Sequence, residues 1–443
     1  MKGGEARARQ GRSSRHLERW GVPRQVCLMK RNHFRSIIYT GVLVAMLAVL
    51  ALSLSGCTTY DNFRQAFIDD PEDVTDTINI GVYEPLAGAD KDAAEPEVCG
   101  IELAHKMFPE AADGRKVNLI YADNNSNINA AETAISTLLT KNPSVILGSY
   151  GNLYSLLAGE YIKEAEVPAI TMTNTNPLIT RNNSYYFRIC YIDATQGKLL
   201  ANYLNHEKVK KAGVLLPEKD DAALALATAF TNALRDLTDE DDPIGYYEKY
   251  TTGEMDFTGY LNTLKESGVK YVFLPGEVPD ALNIITQSEK MGLDVTFLGD
   301  MTWGSEDFRK GLSVGINPER LAFVQFFATD GNDKKPVVNQ AREDFLEAYR
   351  NEYGDEEPEE AVALGYDAYR MALDAIAKAT QDSPQLASGQ QIRDVLLGDD
   401  YQFEGASGII RFNKNGDPKK TAYISTWEGN AVKAIYTIET NQQ

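Results

Sequence analysis

Residues 78–88 read INIGVYEPLAG, a short apolar run that ends in a Glu-Pro turn and a glycine. Similar runs return at residues 117–121 (VNLIY) and 144–148 (SVILG). Between them, residues 97–108 and 129–141 carry apolar side chains at helical spacing. Strands that alternate with helices in this way predict a parallel sheet that is covered by helices on both faces.

The alternation continues with a helix and a strand at residues 153–172, and it restarts in the second half of the chain. The predicted strands there are 211–216, 244–250, 271–274 and 296–298, and the predicted helices are 222–234, 259–268 and 279–291. Two long helices at 335–353 and 359–380 and a strand-rich end follow. Two such units predict an α/β protein whose ligand lies beyond the carboxyl ends of the strands.

The charge of the chain is strongly uneven. The 443 residues carry a net charge of −20, yet residues 1–56 hold ten of the 44 basic residues and only two of the 64 acidic ones. Residues 57–443 therefore hold 34 basic and 62 acidic residues. A surface this acidic repels phosphate backbones, so the composition argues against nucleic-acid binding.

The basic amino-terminal segment has the parts of an export signal. Three basic residues precede residues 37–54, which form an uncharged apolar run, and the sequence Leu-Ser-Gly-Cys closes it at Cys57. Those four residues resemble a bacterial lipobox, in which the cysteine receives lipid and becomes the mature amino terminus. An uncleaved membrane-spanning helix is the alternative. Met29 is a candidate start codon, and the polar, acidic residues 58–77 are read as a tether.

Apart from Cys57, only Cys99 and Cys190 lie in the exported part. Two cysteines do not build a disulfide scaffold, so we expect buried thiols, with a single disulfide as the alternative.

Catalytic and metal motifs are poorly supported. Residues 311–315 match a nucleophile-elbow pattern around Ser313, but no histidine follows His206, so a Ser-acid-His order cannot be completed. No paired histidines or cysteines and no phosphate-binding glycine loop occur. The sequence therefore predicts no catalytic residues, no metal and no cofactor.

Fragments spread along the chain resemble the type I periplasmic solute-binding proteins, in the leucine/isoleucine/valine-binding branch of ABC-transporter receptors. Their order and spacing between about residues 78 and 437 carry the resemblance. They are IGVYEPLAG at 80–88, GIELA at 100–104, GSYG at 148–151, VPAI at 167–170, TNPLIT at 175–180, YFRIC at 186–190, FLGD at 297–300 and GYDA at 365–368.

The resemblance implies a fold of two doubly wound parallel-sheet lobes that are joined by three crossover segments. Lobe one is expected at residues 78–193 plus 329–407, and lobe two at 194–328 plus 408–440. Proteins of this family close on a ligand between the lobes and present the closed form to a membrane permease.

The resemblance places four ligand-binding residues on the first lobe. In the family's amino-acid binders a small hydroxyl residue after the third strand holds the ligand carboxylate, and this place falls on Asn152, next to the GSYG fragment that contains Tyr150. A loop that holds the ligand by backbone and hydroxyl groups falls on Thr173 and Thr175.

On the second lobe the family pattern is largely replaced. Two tyrosine positions fall on Ala222 and Glu277, and the acid that pairs with the ligand ammonium falls on Met301, beside Asp300. The resemblance thus places a ligand at these residues without fixing which ligand it is.

These observations predict a lipid-anchored, monomeric and non-catalytic receptor of an ABC importer. It is expected on the outer face of the bacterial cytoplasmic membrane or in the periplasm, with an amino-acid-like ligand and ABC permease subunits as partners. The alternatives are a sensory or vestigial receptor of the same fold, or a binder of an amide or polyamine.

Overall fold

The computed structural model describes residues 77–312, 316–328, 339–354, 357–381 and 385–438. The predicted signal segment with Cys57, the tether up to residue 76, and Ser313 lie outside the described residues. None of the helices in the described ranges has the length and hydropathy of a membrane-spanning segment.

The first sheet has five strands in the order β2-β1-β3-β4-β5, and all neighbouring strands are parallel. The strands are β1 (Thr77–Glu84), β2 (Lys116–Asp123), β3 (Val145–Gly148), β4 (Ala169–Thr171) and β5 (Tyr186–Arg188). Helices α1 (Lys91–Met107), α2 (Ile128–Leu139) and α3 (Asn152–Ala165) connect the first four strands. Ile78, Ile80 and Val82 are fully buried because helices cover both faces of the sheet.

The second sheet has seven strands in the order β15-β14-β10-β9-β8-β6-β7. Its parallel strands are β6 (Ala212–Pro217), β7 (Ile244–Tyr250), β8 (Tyr271–Phe273), β9 (Thr296–Gly299) and β10 (Leu321–Gln325). The helices of this part are α4 (Asp193–His206), α5 (Asp221–Leu237), α6 (Thr258–Ser267), α7 (Val278–Lys290) and α8 (Glu306–Gly311). Strands β14 (Ala422–Glu428) and β15 (Ala431–Ile438) add an antiparallel edge.

The remaining elements lie between β10 and β14 in the chain. They are α9 (Gln340–Tyr353), α10 (Glu360–Thr380), α11 (Gly389–Leu396), β11 (Phe403–Gly405), β12 (Gly408–Phe412) and β13 (Pro418–Lys419). The last three form a small antiparallel sheet. It is attached to the first sheet through Asp417, which accepts a hydrogen bond from Thr180 (2.8 Å) and pairs with Arg188 (2.9 Å).

The predicted α/β class and the alternating order of strands and helices are confirmed. The predicted start of the first helix at residue 97 is wrong, because α1 begins at Lys91 and contains Pro96. The sequence pattern also missed α4, although Leu199, Leu200, Tyr203 and Leu204 of its buried face stand at helical spacing. The lobe boundaries stay predictions.

The two cysteines of the described chain are not joined by a disulfide. Cys190 is fully buried, and its thiol donates a hydrogen bond to the Asn174 carbonyl (3.1 Å). Cys99 is half-buried on α1.

Buried polar groups tie together the segments through which the chain passes from one sheet to the other. The Tyr191 hydroxyl, before α4, donates to the Lys420 carbonyl (2.5 Å) and accepts from the Lys420 N–H (2.8 Å), before β14. The Glu360 carboxylate accepts hydrogen bonds from the N–H groups of Phe326 and Phe327, just after β10. Hydrogen bonds between side chain and backbone therefore fix the first passage to the third and hold the second passage to α10.

Helices α1 and α10 touch through their backbones at two glycines. A Cβ atom at Gly100 would lie 2.0 Å from the Val362 carbonyl oxygen, and one at Gly365 would lie 2.1 Å from the Glu97 carbonyl oxygen. Only glycine permits this approach, and the approach fixes the position of Glu97 on α1.

We expect Gly365→Ala to destabilise the fold by roughly 1–3 kcal/mol or more, because the added methyl group meets backbone and cannot be accommodated by a rotamer change. The control is Gly259→Ala on α6, where a Cβ atom has open space. That substitution should be neutral or stabilise the helix by up to about 1 kcal/mol. Urea unfolding of both variants checks this, and equal stabilities would contradict the packing described for α1 and α10.

Candidate functional site

Four of the predicted ligand residues follow two neighbouring strands of the first sheet. Tyr150 comes directly after β3, and Asn152 is the first residue of α3. Thr173 and Thr175 lie in the loop that follows β4. Because β3 and β4 are parallel neighbours, these side chains share one edge of the sheet.

Two buried glutamates lie beneath these residues. Glu84 is the last residue of β1, Glu97 is on α1, and both are fully buried. The Tyr150 N–H donates to Glu84 Oε2 (2.6 Å), and the Thr173 hydroxyl donates to Glu97 Oε1. One hydrogen bond from each predicted ligand segment therefore ends on a buried carboxyl group.

Burial and mutual repulsion favour one retained proton between the two carboxyl groups. Glu84 Oε1 and Glu97 Oε2 find no donor among the described residues if both groups are ionised. Burial, and then the neighbouring Glu97 charge, raise the pKa of Glu84 well above its ordinary value. Burial raises the pKa of Glu97 to about 7, while hydrogen bonds from Thr173 and Glu84 oppose the rise. A neutral Glu84 that donates to the Glu97 carboxylate satisfies both groups.

A second set of acids lies beyond the first sheet. Asp193 begins α4, and its carboxyl group lies near the Thr175 side chain. Burial, together with the Asp300 charge, raises the pKa of Asp193 to about 6. Asp300 is buried after β9 and accepts from the Thr302 N–H (2.9 Å) and hydroxyl (2.5 Å). Burial raises the pKa of Asp300, and the charge of Asp220 contributes in the same direction.

Met301 contributes its backbone to the structure of this region. Its N–H donates to Gln196 Oε1 on α4 (3.0 Å), and its carbonyl accepts from Gln325 Nε2 on β10 (2.9 Å). Both glutamines are buried. The Met301 side chain is half-buried and packs against the main hydrophobic core.

Ala222 and Glu277 lie at the carboxyl ends of β6 and β8, but both are exposed. Ala222 is in the first turn of α5. Glu277 precedes α7, and its carboxylate does not cap that helix. Among the described residues, no hydrogen bond joins Glu277 to the acids above and Ala222 has no polar group, so their ligand roles stay predictions.

The loop that carries the threonines is held rigidly by Arg188. This fully buried side chain donates to the carbonyls of Asn174 (2.8 Å) and Asn176 (2.7 Å) and to Thr180 Oγ1 (3.1 Å). The Asn176 N–H donates to Asn152 Oδ1 (3.0 Å). The Arg188 guanidinium is thus used for loop structure and for Asp417, with no donor directed at a ligand.

Tyr150 lies where acids from both halves of the chain come close. Burial raises its pKa to about 12, and the negative charges of Glu97, Asp90, Glu84 and then Asp307 add to the rise. Asp307 is on α8, in the part of the chain that builds the second sheet. Charged groups from both parts of the chain therefore act on Tyr150.

The resemblance had not assigned ligand-site roles to Glu84, Glu97 and Asp193. A signal was present for Glu84, because an acid closes an otherwise apolar strand at residues 78–84. No such signal marks Glu97 or Asp193 in the sequence. Each is linked to the site only by the threonine that lies beside it in the structure. In the described ranges, no group of three or more His, Cys, Asp or Glu side chains is arranged to hold a metal ion.

Comparisons with known proteins agree with this architecture. A family model described as "Periplasmic binding protein" matches residues 77–431. An amino acid binding protein of Pseudomonas aeruginosa is 28% identical over 361 residues, which is 78% of this chain and 88% of that protein. Leu/Ile/Val-binding protein homolog 2 of Brucella abortus is 24% identical, over 78% of this chain and 89% of that protein.

The fold is also similar to a solved structure, a leucine binding protein from Thermotoga maritima. The TM-score is 0.68 at 24% sequence identity, and the match covers 83% of this chain and all of that chain. The predicted doubly wound fold of this type is thereby confirmed.

The buried acids make the folded state sensitive to pH. The ordinary pKa of a glutamate carboxyl group is 4.5, and in the folded chain it is raised. Between the two pKa values the folded chain keeps a proton that the unfolded chain has lost. The free energy of unfolding should therefore fall as pH rises from about 5 to about 7.5, as Glu97 titrates near pH 7. Asp193 and Glu360, whose pKa values burial raises to about 6 and about 7, act in the same direction.

The measurement is the melting temperature of the purified protein across this pH range, with Glu97→Gln as the comparison. The variant should show a shallower slope because it cannot release this proton. A melting temperature that rises between these pH values, or an unchanged slope in the variant, would contradict the assignment.

Proposed function

The chain belongs to the periplasmic binding protein family, and we propose that it is the solute receptor of an ABC importer with an amino-acid-like ligand. It captures this ligand outside the cytoplasmic membrane and delivers it to permease subunits without chemical change. Named relatives are an amino acid binding protein and Leu/Ile/Val-binding protein homologs, which supports this class of ligand.

The observation that carries the proposal is the meeting of polar groups from both sheets at their strand ends. Thr175, after β4, lies near Asp193 at the start of α4, and the negative charges of Glu97 and Asp307 both act on Tyr150. Ligands of doubly wound proteins bind beyond the carboxyl ends of parallel strands. A receptor that closes on its ligand needs groups from two halves of the chain at one place.

An amino-acid-like ligand finds partners here for its ammonium group. The Thr173 and Thr175 hydroxyl oxygens and the Asp300 carboxylate are acceptors, and Tyr150 offers an aromatic face. Asn152 Nδ2 and the first N–H groups of α3 are donors for a carboxyl or amide group of the ligand. We propose Ala222, Glu277 and Met301 as the wall on the opposite side, as the family pattern implies.

We further propose that the protein is exported as a monomer and anchored by lipid on Cys57, because Cys57 closes a lipobox-like sequence after an apolar run. Two acyl chains on one residue suffice for stable anchoring, whereas one chain binds a membrane only marginally. The acidic residues 58–76 would then act as the tether to the folded part.

Binding of a small solute is tested by thermal shift with a panel of amino acids and amines. A compound at about 100 times its dissociation constant should add roughly 2.7 kcal/mol to the free energy of unfolding, which raises the melting temperature measurably. A set of nucleotides and sugars at equal concentration is the control. If no member of the amino-acid and amine panel shifts the melting temperature, the proposed function is wrong.

Lipid anchoring is tested by Cys57→Ala with cell fractionation. The wild-type protein should sediment with membranes and incorporate labelled fatty acid, and the variant should do neither, because lipid transfer requires the thiol. Cys99→Ala, which leaves the lipobox intact, is the matched control. Equal membrane retention and labelling of Cys57→Ala and wild type would show that Cys57 is not the anchor.

A further inference from the structure

Arg188 holds the backbone on both sides of Thr175, in the loop of residues 172–180 that we call the ligand loop. Its guanidinium donates to the carbonyls of Asn174 (2.8 Å) and Asn176 (2.7 Å). The Cys190 thiol donates to the same Asn174 carbonyl (3.1 Å). Because both neighbours of Thr175 are held in this way, the position of its hydroxyl follows the position of Arg188.

The same arginine also holds the turn that leads to the third passage, which is formed by residues 420–421 between β13 and β14. Arg188 Nε lies 2.9 Å from Asp417 Oδ1, and the Arg188 N–H donates to the Gly416 carbonyl (3.0 Å). The Thr180 hydroxyl accepts from Arg188 (3.1 Å) and donates to Asp417 Oδ1 (2.8 Å). The ligand loop and this turn are therefore held by one buried side chain.

The turn fixes Asp417 by hydrogen bonds of its own. Asn413 Oδ1 accepts from the N–H groups of Asn415 (2.8 Å) and Asp417 (3.1 Å), and the Asn413 N–H donates to the Asp417 carbonyl (2.9 Å). Strand β13 (Pro418–Lys419) follows directly and pairs with β12. Only these two residues separate Asp417 from Lys420, so a shift of the turn is carried to the third passage.

Lys420 completes a closed ring of contacts. Its N–H and its carbonyl are both bonded to the hydroxyl of Tyr191, which follows Arg188 on the same segment. Its fully buried ammonium group donates to Ser407 Oγ (2.7 Å), and the Ser407 N–H donates to Asp367 on α10 (2.8 Å). Residues 188–191 and 417–420 are thus joined at both ends, which leaves little freedom for one segment to move without the other.

Buried charge keeps this ring together. Arg188 is fully buried, and in the described ranges Asp417 is the carboxylate that forms an ion pair with it. A buried guanidinium that loses its carboxylate is left with an uncompensated charge, which costs far more than the loss of an exposed ion pair. The Arg188–Asp417 pair therefore stays formed while other parts of the fold rearrange.

We propose that Arg188 and Asp417 couple the ligand loop to the third passage, so that the two segments shift together when the sheets reorient about the passages. Asp417 is then a positioning residue, which acts on the solute through Arg188 and Thr175 without touching it. This role in recognition rests on the proposed solute-binding function, whereas the coupling itself is a property of the chain without ligand. Coupling is reciprocal, so a change at the passage also reaches the loop.

The test is hydrogen–deuterium exchange of the mature protein without ligand, measured at residues 172–180 and at residues 420–422. Tyr191→Phe removes the hydroxyl that holds Lys420, and Asp417→Asn removes the charge that pairs with Arg188. Each variant should speed exchange by about tenfold or more in both segments, because local opening then breaks fewer contacts.

The double variant of Tyr191→Phe with Asp417→Asn separates coupling from a merely structural role. If the coupling runs through Asp417, Tyr191→Phe should add nothing to exchange in the ligand loop once Asp417→Asn is present. Additive effects of the two substitutions in the loop would overturn the proposal. Thr180→Val removes a neutral hydroxyl and keeps the ion pair, so it replaces Asp417→Asn in the same cycle if that variant does not fold.

The control is Asp280→Asn, in the part of the chain that builds the second sheet. Asp280 is a buried acid on α7 whose two carboxylate oxygens accept from the Gly253 N–H (3.2 Å each), so it also holds a loop. This variant should speed exchange at residues 251–257 and leave residues 172–180 unchanged. Faster exchange of the ligand loop in Asp280→Asn would show general loosening and would overturn the assignment.

The possible outcomes separate the coupling from the proposed function. Faster exchange in only one of the two segments of Asp417→Asn overturns the coupling and leaves the solute-binding function intact. Absence of any thermal shift with the amino-acid and amine panel overturns solute binding, and with it the role of Asp417 in recognition.

Discussion

A chain of hydrogen bonds through two buried glutamates organises the site. The Tyr150 N–H donates to Glu84, the Thr173 hydroxyl donates to Glu97, and the proton that the pair retains joins the two carboxyl groups. It joins β1, α1, β3 and the loop after β4. Without the shared proton, two ionised carboxyl groups would face each other in the interior, which is strongly unfavourable.

The chemistry of ligand recognition follows from the direction of these hydrogen bonds. Because Glu97 takes the proton of Thr173, that hydroxyl has only acceptor lone pairs left for a ligand. In the family pattern the same positions hold an amino-acid ligand by backbone and hydroxyl groups.

The architecture was predictable because strands and helices leave distinct apolar periods in the sequence, as in residues 78–83 and 129–141. Helix α4 was missed although Leu199, Leu200, Tyr203 and Leu204 stand at helical spacing on its buried face. Thr173 and Thr175 were predicted from a family pattern at fixed spacing. The Glu84–Glu97 pair was not predicted. Its contact depends on the packing of α1 against α10 at Gly365, and this tertiary contact leaves no local signal in the sequence.

The most direct test of the central claim is an infrared difference spectrum between the wild-type protein and Glu84→Gln at neutral pH. A neutral Glu84 predicts the carbonyl stretch of a protonated carboxylic acid in the wild-type protein, and its loss in the variant. Glu319→Gln, which changes an exposed glutamate, should leave the band unchanged. Absence of a protonated-acid band that depends on Glu84 would contradict the shared proton and the acceptor character derived for the site.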